Sequence, residues 1–584
     1  MALVKFINSS LSLSLCVVIA ICLSCSVWAV PPGATPGGVV PKLDKQLLEP
    51  FVYPSVIQER KLDVDPEEDP TAPRMIVKEF KVEGVVDRPE HQISKKFIEY
   101  LANDEAYRIA SGEPPYGFTV SMFEQVAGAI TRYYRAKGYF LARAYIPEQV
   151  VKDGVVVIRI VESLLGSVVV DGNSLFETKQ LTDPFKDLIG KAIFKDDIES
   201  ELYKLNDYHG LTARGVFGPG VEPGTSAMLL KVKETPTEGF VSFDNYGSIF
   251  TGEYRLRLHY ELNNMFNTAG QLTYDLLTTT NTGSIFGQVQ YSQPVFDRTY
   301  RTGGGISFNT FEVGNELEDL SLTGNSLMMH GFLSKQLYRS KSDRLIAGSA
   351  LHLKQAESST AGNVQADDTL TVIQLTGYYD GINRLWSNST HAVNLDISIG
   401  LADLLGSLPS DGGALSSRSS GSEEKAGGDF TKTVLSYQNF YKINQLQSLI
   451  FRFKTQMTSD LLTSLEQMPL GGPDTVRAYP VSEALVDKGT FFSFEWIVAN
   501  SPDVQYDWLN KLRMSVFYDY ASGEIIDPLV SETPKVSLGA IGVAAQLEPL
   551  KKFKVRMDLA LTEIGDKPSD NQSLPFYIRL EYAF

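Results

Sequence analysis

From Glu238 to Phe584 the chain alternates apolar and polar residues with the period of two that marks a half-buried strand. Tyr254, Leu256, Leu258, Tyr260 and Leu262 share one face, and Arg255, Arg257, His259 and Glu261 share the other. Val555, Met557, Leu559 and Leu561 oppose Lys554, Arg556 and Asp558 in the same way. At the end, Phe576, Ile578, Leu580, Tyr582 and Phe584 oppose Tyr577, Arg579 and Glu581. The pattern predicts about sixteen strands of roughly 8–12 residues. They begin near Phe240, Glu253, Gly270, Phe286, Arg301, Leu320, Arg344, Leu370, Thr390, Phe430, Gln447, Gly489, Lys511, Ser537, Phe553 and Pro575.

Upstream, one small pattern occurs twice. Strand-like Lys78–Gly84 opens the first copy and Ser167–Gly172 the second. Gly138 and Glu162 are 24 positions apart, and so are Gly210 and Glu234. Each copy reads as a strand, two helical stretches and a two-stranded hairpin. Phe123, Ala127, Ile130 and Tyr134 recur at helical spacing and give one apolar face. Gly218, Pro219, Gly220 and Gly224 superficially suggest a phosphate loop. The β-patterned Ala227–Val232 follows them where a helix would be needed, so they read as turn glycines.

The N-terminus changes the picture. Lys5, the apolar run Leu11–Leu23 and the small-residue site at Val27-Trp28-Ala29 predict a signal peptide over residues 1–29. The run is short for a spanning helix, which needs about 20 residues. Cys16, Cys22 and Cys25 all lie inside it, so the mature chain would have no disulfide and no thiolate metal site. Residues 30–75 read as a Pro-rich linker with an acidic run at Asp63–Asp69 and a short helix near Lys42–Leu48. A leader, an even strand count and aromatics at strand ends favour a membrane barrel over a soluble sandwich, because only closed barrels and helices satisfy every backbone group in lipid.

The net charge of −17 and the pI near 5 argue against a nucleic-acid partner, which would require a basic face. Aromatics at 11% and 47 glycines suit an all-β chain. The six histidines are scattered without metal-ligand spacing, and no nucleophile elbow or phosphate loop occurs. The sequence therefore offers no catalytic residue, no metal and no cofactor, and reads as a non-enzyme.

One long connection, from about Asp460 to Lys488 and without a strand of its own, carries Leu470-Gly471-Gly472-Pro473-Asp474-Thr475-Val476-Arg477-Ala478-Tyr479-Pro480. Gly471, Gly472 and Pro473 demand a tight turn that presents Arg477 at its tip. On a later strand Met514, Val516, Tyr518 and Tyr520 form the apolar set, so Arg513, Ser515, Phe517 and Asp519 face the lumen. An inward carboxylate can take a bidentate contact from an inward-folded Arg. Because a barrel lumen is partly wet, breaking such a contact is expected to cost roughly 1–3 kcal/mol, below the buried-pair range.

Gly-Gly-Pro-Asp-x-Val-Arg-x-Tyr-Pro resembles the tip of loop six in two-partner secretion transporters, the TpsB family of haemolysin and filamentous-haemagglutinin secretion/activation proteins. Phe517-Tyr518-Asp519-Tyr520 matches the family's second motif, although Ala478 and Ala521 stand where the family usually has Gly. The resemblance implies a barrel of about sixteen antiparallel strands at 236–584, preceded by two α+β POTRA domains at 76–162 and 163–235. It implies a short N-terminal plug helix ahead of a linker. Arg477, Tyr479, Gly471 and Gly472 would anchor loop six in the lumen, Asp519 and Phe517 would receive it, and terminal Phe584 would be the signal read by the barrel-assembly machinery. The implied function is secretion of one dedicated exoprotein, haemolysin- or adhesin-like, across the bacterial outer membrane. POTRA domains in the periplasm would capture that partner. An assembly insertase of the same superfamily and a passive porin are the alternatives.

Overall fold

The computed structural model describes residues 31–41, 56–58, 72–110, 114–280, 283–296, 298–418, 422, 424–500, 510–529, 532–565 and 567–584. The expected leader at 1–29 and the helix at Lys42–Leu48 lie outside the described residues.

The first repeat unit contains β2 (Met75–Val77), β3 (Glu79–Glu83), α2 (Lys95–Ala110), β4 (Tyr116–Phe118), α3 (Val120–Ala136), β5 (Arg143–Tyr145) and β6 (Val155–Val161). Its sheet runs β3-β6-β5, with β3 parallel to β6 and β5 antiparallel to it. The α3 face expected from the sequence is buried: Phe123, Ala127, Ile130 and Tyr134 pack with Phe80, Ile98 and Ile158. Thr119 caps α3 by accepting from the Met122 N–H at 3.4 Å.

The second unit has β7 (Leu164–Asp171), α4 (Thr178–Thr182), α5 (Lys195–Asn206), β8 (Leu211–Pro219) and β9 (Thr225–Glu234). Here β7 is parallel to β9 and β8 antiparallel, which repeats the β-α-α-β-β order. A further strand joins from the region read as linker: β1 (Ile57–Gln58) pairs parallel with the open edge of β8. Val56 and Ile57 are buried in the second unit's core, so this short apolar step supplies the burial that holds the pairing.

Sixteen strands then close into one antiparallel barrel. The first eight are β10 (Thr237–Asp244), β11 (Arg255–Met265), β12 (Gly270–Thr279), β13 (Ser284–Val295), β14 (Tyr300–Glu312), β15 (Leu322–Arg339), β16 (Asp343–Thr360) and β17 (Asn363–Ile382). Next come β18 (Ser389–Gly400), β19 (Thr431–Lys442) and β20 (Gln447–Thr458); β21 (Met468–Leu470) and β22 (Ala484–Val486) lie inside the following connection. The last five wall strands are β23 (Lys488–Ala499), β24 (Arg513–Glu524), β25 (Lys535–Leu550), β26 (Phe553–Ile564) and β27 (Phe576–Ala583). The apolar faces point outward and stay uncovered: Leu256 is 51% exposed, Met514 58% and Leu561 51%. Such a continuous apolar band needs lipid against it. Among the described residues no helix is long and apolar enough to cross a membrane.

The ring closes between β10 and β27 through five residue pairs, from Phe240↔Ala583 to Asp244↔Arg579. Side chains reinforce this seam. The Asp244 carboxylate accepts from Arg255 Nε at 2.7 Å and Arg579 Nε at 3.3 Å. Beyond the ladder, Asn245 donates to the Phe576 carbonyl at 2.7 Å and accepts from the Ile578 N–H at 2.8 Å. Phe584 sits at the same seam, its N–H on the Gly239 carbonyl at 2.9 Å and its ring stacked with Tyr260.

The second unit is bolted to one end of the barrel. Arg339, ending β15, donates to both Asp207 oxygens at 3.1 and 3.2 Å. Asn264, in the last turns of β11, donates to the Leu175 carbonyl at 2.6 Å. Because successive strands are antiparallel, the β20–β23 connection leaves from the opposite, far end.

One expectation needs correction. Residues 31–41, read as extended linker, are compact and lie inside the barrel. Prolines open a 3-10 turn at Pro32–Ala34 and a single helical turn, α1 (Pro36–Val39). A Cβ on Gly37 would lie 1.8 Å from the Ser464 carbonyl oxygen, so only glycine lets the segment approach loop six this closely. Ser248 and Ser482 donate to the Gly33 and Gly38 carbonyls at 3.0 and 2.9 Å.

Candidate translocation site in the barrel lumen

Loop six spans residues 459–487 and folds back into the lumen. It is not without secondary structure: β21 and β22 form a short ladder, Met468↔Val486 to Leu470↔Ala484. The alternation over three residues is too brief to register as a strand in the sequence. Gly471 and Gly472 close this ladder with φ of +99° and +96°, in the left-handed region. A Cβ on Gly471 would meet the Pro480 oxygen at 2.4 Å. The turn is tied by the Gly472 N–H to the Tyr479 carbonyl at 2.9 Å.

Past that neck Pro473, Asp474 and Thr475 border the lumen cavity, and the chain is buried from Val476 to Pro480. Val476, Ala478 and Tyr479 pack with Phe491, Phe517, Leu538, Ala540 and Ala544. The Tyr479 hydroxyl donates to the Ile564 carbonyl at 2.7 Å, and the Tyr577 hydroxyl donates to the Tyr479 carbonyl at 2.8 Å. The last five wall strands, β23 to β27, thus grip the loop around Arg477.

Arg477 is 1% exposed and Asp519 fully buried. Arg477 Nε donates to Asp519 Oδ2 at 2.7 Å and Nη2 to Oδ1 at 2.8 Å, a forked pair. Its backbone N–H reaches the same carboxylate at 3.3 Å. The remaining nitrogen Nη1 donates to Glu495 at 3.0 Å and to Asp558 at 3.1 Å. The guanidinium carbon lies 3.2 Å from the centre of the Phe517 ring. That ring lies against Gly542, where any Cβ would stand 2.3 Å from it.

The sequence pointed to Asp519 and Phe517 but missed Glu495, Asp558 and Arg556. Arg556 donates to both carboxylates, at 3.1 Å to Glu495 and 2.8 Å to Asp558, and Ser515 donates to Glu495 at 2.7 Å. Three carboxylates face Arg477, Arg556 and the adjoining Arg452, which donates to Ser493 at 3.1 Å. A lone buried charge would be costly; this near-neutral network is not. The signal was present in parity, since Glu495 and Asp558 occupy inward positions. Barrel curvature decides which inward positions meet.

A cavity of about 560 Å³ remains in the lumen, lined by Gly37, Gly38, Lys354, Lys432, Arg452 and Asp474 among others. Residues 37–41 and parts of loop six form one side of its wall.

A closed sixteen-stranded barrel with two α+β units at one end and an Arg-tipped loop folded into its lumen defines a polypeptide-transporting outer-membrane protein. The model of the haemolysin secretion/activation proteins ShlB/FhaC/HecB matches residues 224–543, and that of the ShlB-type POTRA domain matches residues 76–163. The chain belongs to this haemolysin secretion/activation family. It is 23% identical over 510 residues to the heme/hemopexin transporter protein HuxB of Haemophilus influenzae, covering 84% of this chain and 85% of that one. It is 22% identical over 386 residues to the outer membrane transporter CdiB of Dickeya dadantii, covering 64% and 66%. The solved structure of CdiB from Escherichia coli superposes with a TM-score of 0.63 at 18% identity, covering 90% of this chain and 94% of that one. The protein is a two-partner secretion transporter that exports a dedicated exoprotein, a reading favoured over a general insertase or a porin.

Proposed function

We propose that loop six is the resting lock of this transporter, with Arg477 as its bolt and Asp519, Phe517, Glu495 and Asp558 as the seat. Gly471, Gly472 and Tyr479 shape and fasten the tip. The POTRA domains stand in the periplasm and capture the partner's N-terminal secretion domain by adding its strand to an open sheet edge. Edges β3 and β5 of the first unit and β7 of the second offer that pairing, whereas β8 already carries β1. Stepwise folding of the partner outside the cell draws it through, which requires no cofactor or nucleotide. Phe584, at the seam, serves as the signal for the barrel-assembly machinery.

The observation that carries this reading is the burial of Arg477 against three carboxylates from β23, β24 and β26. Loop six and the strands it fills cannot pass a polypeptide until that network opens. With Arg477 1% and Asp519 0% exposed, the discount for a wet lumen does not apply. Removing one member of a buried pair costs ~3–5 kcal/mol.

The test is secretion of the partner by Arg477→Ala, Asp519→Ala, the double variant and Arg477→Lys, beside a membrane-insertion control. Arg477→Ala should lower secretion strongly but measurably with insertion intact, because a loop that cannot seat again cannot reset the transporter. Asp519→Ala should be milder, because Glu495 and Asp558 still hold the guanidinium. The double should equal Arg477→Ala, and Arg477→Lys should restore little, because Lys lacks the fork. Additive losses in the double variant would sink the lock.

A further inference from the structure

The lock at the tip leaves the other limb of loop six unexplained. Glu466 lies in the loop's ascending stem and is 1% exposed, a carboxylate removed from water whose partners are not those of Arg477. Its Oε1 accepts from Lys354 Nζ of β16 at 2.6 Å. Its Oε2 lies 2.7 Å from Lys432 Nζ of β19. Lys432 also donates to the Glu466 backbone carbonyl at 2.8 Å, and Gln456 of β20 donates to the same carbonyl at 3.1 Å. Gln456 reaches across to the descending stem as well, donating to the Asp487 carbonyl at 3.0 Å. The wall therefore holds both the side chain and the main chain of the stem.

The two contacts have opposite polarity and lie on different strands of the wall. At the tip a cation enters an acidic wall on β23, β24 and β26. At the stem an anion enters a basic wall on β16 and β19. Counting around the ring, the stem is held by the seventh, tenth and eleventh strands and the tip by the twelfth, thirteenth and fifteenth, so the two contacts occupy separate, adjoining parts of the wall. Were the stem to leave, Lys354 and Lys432 would face each other's charge over the 560 Å³ cavity that they both line. A buried carboxylate between two ammonium groups is strongly favoured where it is and leaves two uncompensated charges where it is not.

We infer that Glu466, Lys354 and Lys432 form a second lock of reversed charge on loop six, so that the pore opens only when both the tip and the stem are released. These are positioning residues, and the inference rests on the reading of loop six as a gate. The three cysteines of the chain all precede residue 30, so Thr475→Cys places a single reporter thiol in the tip of the processed protein. Its labelling rate by a membrane-impermeant maleimide, added to intact cells, reports how often the tip leaves the lumen.

In that background Glu466→Gln should raise the labelling rate at least tenfold, and Arg477→Ala should do the same. Heat-shifted migration of the unboiled barrel should persist in both, which a merely structural role of Glu466 would not allow. Restoring the pair with inverted charge, Glu466→Lys with Lys354→Glu, should return the rate toward that of the parent. If Arg477→Ala accelerates labelling and Glu466→Gln does not, the second lock is wrong while the gate stands. If neither accelerates labelling, the gate itself fails. A collapsed heat shift in Glu466→Gln that the charge-inverted pair does not restore would make Glu466 a folding residue and overturn the proposal.

Discussion

The two POTRA domains share chain order and spacing, yet they end on glutamates in opposite surroundings. In the first, Glu162 accepts from Arg88 at 2.6 Å, with the buried Tyr134 hydroxyl beside it. Burial pushes the Glu162 carboxyl above its ordinary range and outweighs the Arg88 attraction. In the second, Glu234 accepts from the N–H groups of Ser174, Leu175 and Phe176 at 2.6, 2.6 and 3.0 Å. Burial opposes the charge here too, but the three N–H donors prevail and hold the carboxyl below its ordinary range. The attachments differ in the same direction. The first unit's core meets only the second unit, through Ala192 and Phe194, whereas the second shares its core with Phe140 of the first, with Val56 and Ile57 of the N-terminal segment and with Ala269 of the barrel rim. One repeat has become a reaching module and the other a coupling piece.

Deletion tests that contrast most strongly. Removing residues 78–162 should leave a heat-modifiable barrel that inserts and no longer secretes. Removing residues 163–234 should lower the amount of inserted barrel as well, read by outer-membrane fractionation. Equal insertion by both truncations would erase the distinction.

A smaller effect is expected at the bolt between the second unit and the barrel. Arg339 is 5% exposed and Asp207 22% exposed at their side chains, so the forked pair is partly shielded. Asp207→Ala should loosen the second unit by about 1.5 kcal/mol, the low end for charged hydrogen bonds. Hydrogen exchange of α5 amides in the full protein should show it, with the first unit unchanged. Matching deprotection in α3 would mean that the two units move as one.

The smallest effect is one of pH. Glu234 has a lowered folded pKa, so its stabilisation is present above the ordinary glutamate value and is lost as pH falls through the folded one. Glu162 has a raised pKa, so its contribution runs the other way: present below the ordinary value and lost as pH rises through the folded one. Protection of the Leu175 and Phe176 amides should therefore fall in acid, and Glu234→Gln should flatten that dependence. The first unit should not share the acid loss. Parallel titration of both units would refute the contrast.

Much of this was legible in the chain. Strands expected at Gly270, Gln447 and Phe553 begin at those residues, because wall strands facing lipid and lumen must alternate. The poorest start was Leu370, for a strand that begins at Asn363. The missed stretch, Asn363 to Thr369, includes Gln365, Asp367, Asp368 and Thr369, and a strand that outruns the apolar band loses its alternation. Residues 31–41 carry no periodicity at all, since their burial depends on glycines that allow backbone contact. His330 and His352 looked scattered but face each other across β15 and β16, with ring centres 5.6 Å apart. Glu466 was passed over because a lone Glu in a loop has no pattern; only the closed ring brings Lys354 and Lys432 to it.

The seam also sets an order of events. Asp244 and Arg579, which meet across it, are separated by 335 positions along the chain. Closing a loop of that length costs about 5 kcal/mol of chain entropy before any contact repays it. The five-pair ladder and its clasp can form only after the final strand has been made, so ring closure is the last act of assembly. The segment from Pro31 to Pro41 lies inside that ring, so the last strand to be made completes a wall around one of the first parts of the chain.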